Sequence, residues 1–308
     1  MWMYYIVIKL LTNGCSMTWG GGFLQSFLLE KAKELNVPHC ECVNNEELSK
    51  DNSITTRGQS QEGIYHGEFC SENCTYEIVR KYITYPYKLS KLLDADELID
   101  LSKPGQSCQY VVRTTTDYFL KIMNLHGWRK RDFSDYIVLL QMPNGLRFEW
   151  WRDEIHFYKG SHAGWEGKVI AFSEEKNIVN YFGNDIYKFY NVTNSIIQLG
   201  SFLKENKIKY YISTNGHGFI NDKKDIDNLL ESGLTTLDIL KRRIKYIETN
   251  YNILGSRLTD SALLPRRNRT ITKTFKAGHT GESIKGDGHY SSHGHTAIAH
   301  NLYRNIKE

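Results

Sequence analysis

The feature that most constrains this chain is the alternation of short β-rich runs with amphipathic helical segments. A strand followed by a helix and then another strand is the unit from which parallel sheets are built, because the crossover between parallel strands needs a helix. The pattern therefore predicts a three-layer α/β/α sandwich with a short, mostly parallel sheet, as in flavodoxin-like folds. The predicted strands are 4–8, 97–101, 136–140 and 208–213, and the predicted helices are 23–35, 75–93 (bent or divided at Pro86), 109–125, 186–206, 235–251 and 293–306.

The first strand leads into a turn-forming segment, Thr12-Asn13-Gly14-Cys15-Ser16, which a helix follows. A strand-to-helix turn exposes and orients a serine hydroxyl, which is a poor nucleophile unless a base activates it. The turn also directs backbone N–H groups, and the helix dipole behind them, at an oxyanion on a substrate. Ser16 is therefore a candidate nucleophile, and the alternative is a serine that only caps the helix.

A second polar segment precedes the last predicted helix and contains Asp287, His289, His293 and His295. A histidine in this position can accept a serine proton, and a nearby carboxylate can fix its tautomer and stabilise its charged form. Two alternatives remain open from the residues alone. The segment could be a solvated loop capped by Ser292, or a histidine-rich metal tract.

Taken together, the Gly-x-Ser turn and the Asp-x-His-x-x-x-x-Gly-His segment resemble the SGNH (GDSL-like) serine hydrolase superfamily. The resemblance implies the SGNH type of α/β sandwich and a hydrolase that cleaves an acyl ester through an acyl-enzyme. It implies Ser16 as nucleophile, His289 as base and Asp287 as the acid that orients the base. Such a triad needs no cofactor, and O-acetyl groups on a glycan are the favoured substrate class.

The same resemblance implies an oxyanion hole built from the Ser16 N–H, a glycine after the second strand and an asparagine after the third. Gly105 fits the glycine, with an ordinary Pro-Gly turn as the alternative. Asn144 is the candidate asparagine and Gln141 its substitute, in a segment where the family pattern is broken.

Two further departures concern the triad itself. The family commonly has aspartate where Cys15 stands, and it often places the last acid three residues before the histidine rather than two. Cys15 could itself be proposed as nucleophile, although a buried small residue is the favoured interpretation. The broken segment at Asn144 and the cysteine at position 15 favour a rival hypothesis, in which the chain is a non-catalytic binding or structural protein that retains the SGNH fold.

Metal binding is a third hypothesis. Four cysteines, Cys40, Cys42, Cys70 and Cys74, could hold a tetrahedral zinc, although their spacing is unusual and plain loop cysteines are the alternative. The three histidines of the last segment could also ligate a metal, with His289 and His293 on one helical face. The triad is the preferred interpretation of these histidines, so no metal is predicted.

Two decorations are predicted on a single hydrolase domain over 1–308. The first is a cysteine-containing irregular insertion at 36–74, and the second is an aromatic-rich arm at 145–183. Aromatic side chains stack on sugar rings, so the arm could face a glycan, or it could pack a small subdomain. A basic loop over 266–276 could meet an acidic substrate or could simply be solvated.

The remaining expectations come from bulk properties. A formal net charge of +4 is too small to indicate a nucleic-acid partner. No apolar run is long enough to cross a membrane, and the start of the chain does not have the pattern of a signal peptide. Six dispersed cysteines indicate a reducing, cytoplasmic location. The expected partner is a small-molecule or glycan ester, and the oligomeric state stays open.

Overall fold

A computed structural model describes residues 7–15, 18, 23–38, 75–103, 106–127, 132–143, 148–153, 156–160, 185–214, 230, 236–254, 275–283 and 288–307. The chain divides into two compact units. The first comprises 1–15 and 95–263, and the second comprises 16–94 and 264–308. The predicted single-domain organisation stays a prediction, and most of the cysteine insertion lies outside the described residues.

All six strands described belong to the first unit. They are β1 (Lys9–Asn13), β2 (Glu97–Asp100), β3 (Tyr136–Met142), β4 (Phe148–Asp153), β5 (His156–Gly160) and β6 (Lys209–Thr214). Four of them form a sheet in the order β2-β1-β3-β6, and every neighbouring pair in it is parallel. The predicted α/β class with a short parallel sheet is confirmed.

The predicted position of the first strand was wrong at Val7 and Ile8, which lie before the strand Lys9–Asn13, and residues 4–6 lie outside the described part of the chain. Polar side chains that indicate a turn are accommodated here by partners from distant parts of the chain. The Lys9 ammonium lies 3.6 Å from an Asp135 carboxylate oxygen and 5.2 Å from the centre of the Tyr136 ring. The Thr12 hydroxyl donates to Asp100 Oδ1 at 3.0 Å. Such long-range partners leave no trace in local propensity.

Three long helices of the first unit follow strands β2, β5 and β6 in the sequence. They are α4 (Cys108–Leu125), α5 (Asp185–Glu205) and α6 (Leu237–Asn250). Strand β3 is buried along its whole length, and α4 packs against it while α5 packs against β6. Leu11, Phe119, Leu140 and Ile196 are among the residues of the shared apolar core. A continuously apolar strand is typical of a parallel sheet covered by helices.

The predicted aromatic arm begins as a two-stranded antiparallel ribbon. Strands β4 and β5 pair with Trp150 opposite Tyr158 and Trp151 opposite Phe157. The remainder of the arm, including His162 and Trp165, lies outside the described residues.

The described elements of the second unit are helical. They are α1 (Gln25–Glu34), α2 (Thr75–Ile83), α3 (Tyr85–Leu92), the single turn α7 (Ala277–Thr280) and α8 (Ser292–Lys307). Pro86 lies in the first turn of α3 and divides the predicted helix as expected. Helix α8 packs against α3, and α1 packs against α2 around Phe23, Leu28 and Val79.

No helix among the residues described is both long and apolar enough to span a membrane.

Candidate active site

The C-terminal histidine segment begins where helix α8 is capped. The Ser291 hydroxyl accepts a hydrogen bond from the Gly294 N–H at 3.0 Å, which makes Ser291 the helix cap rather than Ser292. The Glu282 carboxylate accepts from the Ser292 N–H at 2.6 Å and from the Ser292 hydroxyl at 2.7 Å. A carboxylate at a helix N-terminus is favoured by the helix dipole. The start of α8 is therefore fixed from two directions.

His289 lies just before this cap, in a short stretch paired with residues 275–277. The Ala277 N–H donates to the His289 carbonyl at 3.1 Å, and the Ser291 N–H donates to the Phe275 carbonyl at 2.9 Å. Between them, Lys276 and Tyr290 form an antiparallel bridge. His289 is half-buried, and these contacts hold its backbone in place.

Close packing behind His289 requires glycine at position 294. A Cβ on Gly294 would lie 2.7 Å from the Phe275 carbonyl oxygen and 3.3 Å from the Tyr290 Cβ. The Lys276 ammonium donates to the Gly288 carbonyl and lies 5.3 Å from the centre of the Tyr290 ring. The glycine of the Gly-His pair is thus explained by the approach of α8 to the 275–277 stretch.

His295 is fully buried and plays a different part from His289. Its Nδ1 accepts a hydrogen bond from the Tyr85 N–H at 3.2 Å, and its ring lies 5.8 Å from that of Tyr85. The rings of Phe23 and Tyr290 are each 5.9 Å away. Burial lowers the pKa of His295 to about 3, and positive charge at Lys88, His289 and Arg80 acts in the same direction. His295 is therefore neutral near pH 7, with its proton on Nε2.

Tyr85 connects this segment to Thr18, which lies close in sequence to Ser16. Its hydroxyl donates to Thr18 Oγ1 at 2.8 Å, while its N–H donates to His295 Nδ1. Thr18, Tyr85 and His295 are all fully buried. Thr18 is two positions beyond Ser16, and His295 is six positions beyond His289. One buried tyrosine therefore joins the two polar segments that the sequence analysis singled out.

Lys88, one turn along α3 from Tyr85, contacts the first turn of α8. Its ammonium donates to the Ser292 carbonyl at 3.1 Å and to the Thr296 hydroxyl at 2.5 Å. Burial lowers the pKa of Lys88, and the Glu282 carboxylate opposes that shift. Sequence reasoning missed Tyr85, Lys88 and Glu282. Only the proline after Tyr85 marked this region, and nothing local distinguished the other two.

The loops at the carboxyl ends of the parallel strands contact one another within the first unit. The Lys103 N–H after β2 donates to the Gly14 carbonyl after β1 at 3.4 Å. The Cys108 thiol at the start of α4 donates to the Pro143 carbonyl after β3 at 3.4 Å. This end of a parallel sheet is the usual place for binding and catalytic groups.

Asn13 fixes the turn after β1. Its amide nitrogen donates to Thr114 Oγ1 at 2.8 Å and to Thr115 Oγ1 at 2.9 Å, both on α4. Its carbonyl oxygen accepts from the Gly14 N–H at 2.8 Å. Cys15 is 1% exposed and forms no disulfide, which agrees with a buried small residue rather than a nucleophile.

Most of the predicted chemical groups lie outside the described residues. These are Ser16, Asp287, Gly105, Asn144, Cys40, Cys42, Cys70 and Cys74, together with the basic loop up to 274. Gln141, the substitute oxyanion donor, is fully buried within β3 rather than in the loop after it. The roles assigned to all of these residues stay predictions.

The three C-terminal histidines have separate surroundings. His289 precedes α8, so it does not share a helical face with His293, which is exposed and stacks on Phe275 at 5.6 Å. His295 is enclosed by aromatic rings. In the part of the chain that the structure describes, no three His, Cys, Asp or Glu side chains are grouped so that they could hold a metal ion.

Comparisons with known proteins give matches among solved structures alone. No protein-family model matches the chain, and no curated protein matches it. Among solved structures, the chain is similar to one described as a member of the lipolytic protein G-D-S-L family from Veillonella parvula DSM 2008. The two share 10% sequence identity with a TM-score of 0.38, over 98% of this chain and 100% of the other.

Proposed function

We propose that this chain is a serine esterase that hydrolyses acyl esters through an acyl-enzyme. The Ser16 hydroxyl attacks the ester carbonyl while His289 accepts its proton, and His289 then returns that proton to the leaving alcohol. Water attacks the acyl-enzyme with His289 again as base, which releases the acid and regenerates Ser16. Asp287 holds the His289 imidazole in the tautomer that the reaction needs.

The observation that carries this proposal is the double contact of Tyr85 with Thr18 and His295. A serine and a histidine from opposite ends of a chain can exchange a proton only if their segments lie close together in the fold. The tyrosine contacts a residue two positions beyond Ser16 and a residue of the same capped segment as His289. This contact supports the assignment of the two segments to one site.

The electrostatics of the histidines also support the proposal. His295 is sealed and neutral, so it cannot exchange protons with a substrate, whereas His289 is half-buried. Of the two histidines in the Asp-x-His-x-x-x-x-Gly-His pattern, His289 is therefore the base. Gly105 and Asn144 complete the proposal as oxyanion donors, and loss of one such donor typically lowers kcat about 10²–10³-fold.

O-acetyl groups on a glycan are the proposed substrate class. The paired strands β4 and β5 carry Trp150, Trp151, Phe157 and Tyr158, residue types that stack on sugar rings. This part of the proposal is tested separately from the esterase chemistry. Acetate release from an O-acetylated oligosaccharide is followed by ¹H NMR and compared with release from p-nitrophenyl acetate. A kcat/KM no higher for the oligosaccharide would contradict the glycan assignment.

A fluorophosphonate probe tests the esterase, since it labels only an activated serine. We expect the wild type to be labelled and Ser16→Ala to lose labelling completely, while Ser134→Ala, an exposed serine, keeps it. His289→Ala should lower kcat on p-nitrophenyl acetate about 10³–10⁴-fold, and His293→Ala, its exposed neighbour, should leave kcat unchanged. A folded wild type that is neither labelled nor active would favour the rival, a non-catalytic binding protein.

A further inference from the structure

We propose that His295 and Tyr85 form a positioning pair that fixes the turn carrying Ser16 against the segment carrying His289. The inference rests on the proposed esterase function and adds residues that the triad does not include. Neither residue touches the reacting atoms in this scheme. Each acts by holding another part of the site.

The Tyr85 N–H is an orphan donor of helix α3 that His295 satisfies. The first N–H groups of a helix have no partner inside the helix, and a side chain just before it usually supplies one. Here the residue before the helix, Thr84, makes no such hydrogen bond. The Tyr85 N–H instead donates to His295 Nδ1 at 3.2 Å, although His295 lies 210 positions further along the chain. Helix α3 is therefore capped by α8.

The tautomer of His295 follows from this contact. Because the Tyr85 N–H donates to Nδ1, that nitrogen carries a lone pair and the ring proton resides on Nε2. The groups that face His295 are the rings of Phe23, Tyr85 and Tyr290 and the charges of Lys88, His289 and Arg80. Each of these charges disfavours a second proton. The acceptor therefore persists across the pH range in which a serine esterase works.

A chain of fixed contacts runs from His295 in both directions. Towards His289, the Ser291 cap and the close approach of Gly294 to the Phe275 carbonyl hold residues 289–295 in one arrangement. Towards Ser16, the Tyr85 hydroxyl holds Thr18 at 2.8 Å. A displacement of Tyr85 changes the distance between nucleophile and base. A misplacement of about 1 Å can lower a rate about 10²-fold.

Substitutions at His295 distinguish the role of Nδ1 from that of Nε2. Asparagine places an acceptor oxygen near the position of Nδ1, glutamine places its polar end near Nε2, and leucine provides neither. We expect His295→Leu and His295→Gln to lower kcat on p-nitrophenyl acetate about 10–100-fold with KM changed less than about threefold. His295→Asn should recover most of the loss. Failure of asparagine to exceed leucine would overturn the role of Nδ1.

Tyr85→Phe is the milder test, because it keeps the N–H and removes only the hydroxyl that contacts Thr18. We expect kcat to fall about tenfold with KM unchanged, because the residues that bind the substrate are intact. If the leucine variant fails to fold, Tyr85→Phe decides the matter. A fall confined to KM, or to the melting temperature with kcat preserved, would overturn the inference.

The tautomer of His295 can be measured independently of activity. Long-range ¹H–¹⁵N NMR of the wild type should show the His295 ring neutral with its proton on Nε2 from pH 5 to pH 8. A proton on Nδ1 would overturn the positioning pair. Wild-type kcat in both Tyr85→Phe and His295→Leu, with Ser16→Ala inactive, overturns the pair and leaves the esterase standing. An inactive wild type overturns both proposals.

Discussion

Two fully buried polar side chains, Asn13 in the first unit and His295 in the second, hold the segments that flank the predicted catalytic residues. Asn13 uses both ends of its amide, donating to two threonines of α4 and accepting from the next backbone N–H. His295 uses Nδ1 only, and its Nε2 has no hydrogen-bond partner among the residues described. A saturated buried amide stabilises a fold, whereas a half-satisfied imidazole retains a cost in stability. The contrast distinguishes a structural anchor from the residue to which we assign a positioning role.

The largest effect on the free energy of unfolding is expected at Asn13, whose side-chain amide is hydrogen-bonded at both ends. Asn13→Ala removes the side-chain hydrogen bonds to Thr114, Thr115 and the Val111 carbonyl of α4, leaves the Gly14 N–H without its acceptor and opens a cavity. The free energy of unfolding should fall by about 2–4 kcal/mol, measured by urea denaturation with circular dichroism. Asn305→Ala, at an exposed asparagine of α8, is the control and should stay within about 0.5 kcal/mol. A loss below about 1 kcal/mol at Asn13 would erase the contrast.

The free energy of unfolding is expected to depend on pH because of His295, whose ring has one hydrogen-bonded nitrogen. His295 has a pKa of about 3 in the folded chain against an ordinary value of 6.5. Between these values the unfolded chain binds a proton there that the folded chain does not, so stability falls as pH falls. From pH 6.5 to pH 5 the loss should be about 2 kcal/mol, at 1.36 kcal/mol for each pH unit.

The difference between wild type and His295→Asn isolates this contribution, because the carboxylates and the other histidines titrate in both proteins. The unfolding free energy of the variant should therefore decline less steeply between pH 6.5 and pH 5. Parallel pH profiles for the two proteins would show that His295 does not stay neutral in the fold.

The smallest effect is expected at the cap of α8. Glu282→Gln keeps an acceptor for Ser292 but removes the negative charge from the helix N-terminus. We expect a loss of about 0.5–1 kcal/mol in the free energy of unfolding, reduced at high salt. Glu30→Gln, at an exposed position within α1, should change stability by less than that. Equal effects at the two glutamates would mean that the helix dipole contributes nothing at this cap.

Local pattern predicted most of the elements well. The continuous apolar run in β3 and the stripe of Phe23, Leu28 and Ala32 in α1 belong to periodicities that a short window contains. Pro86 marked the break between α2 and α3, because a proline ring cannot continue a helix. The shift of β1 had the opposite cause. Lys9 and Asn13 are polar, and the groups that accommodate them come from beyond residue 100.

The candidate site follows the same division. The Gly-His pair at 294–295 was visible as part of a motif, but its physical roles, a close backbone approach and a helix cap, depend on Phe275 and Tyr85. Tyr85 itself looked like one of many tyrosines in a helical stretch. Its importance comes from two hydrogen bonds that span 67 and 210 positions of the chain, which no local pattern contains.

The place of β1 in the sheet determines when this strand can pair during synthesis of the chain. Leu10 pairs with Leu98 on one side and with Ile137 on the other, so β1 lies between two strands that are synthesised after it. At about 5–20 residues per second, the strand leaves the ribosome several seconds before either neighbour exists. Strand β1 therefore stays unpaired during that interval, and the Nδ1 acceptor that caps α3 is synthesised 210 positions after Tyr85.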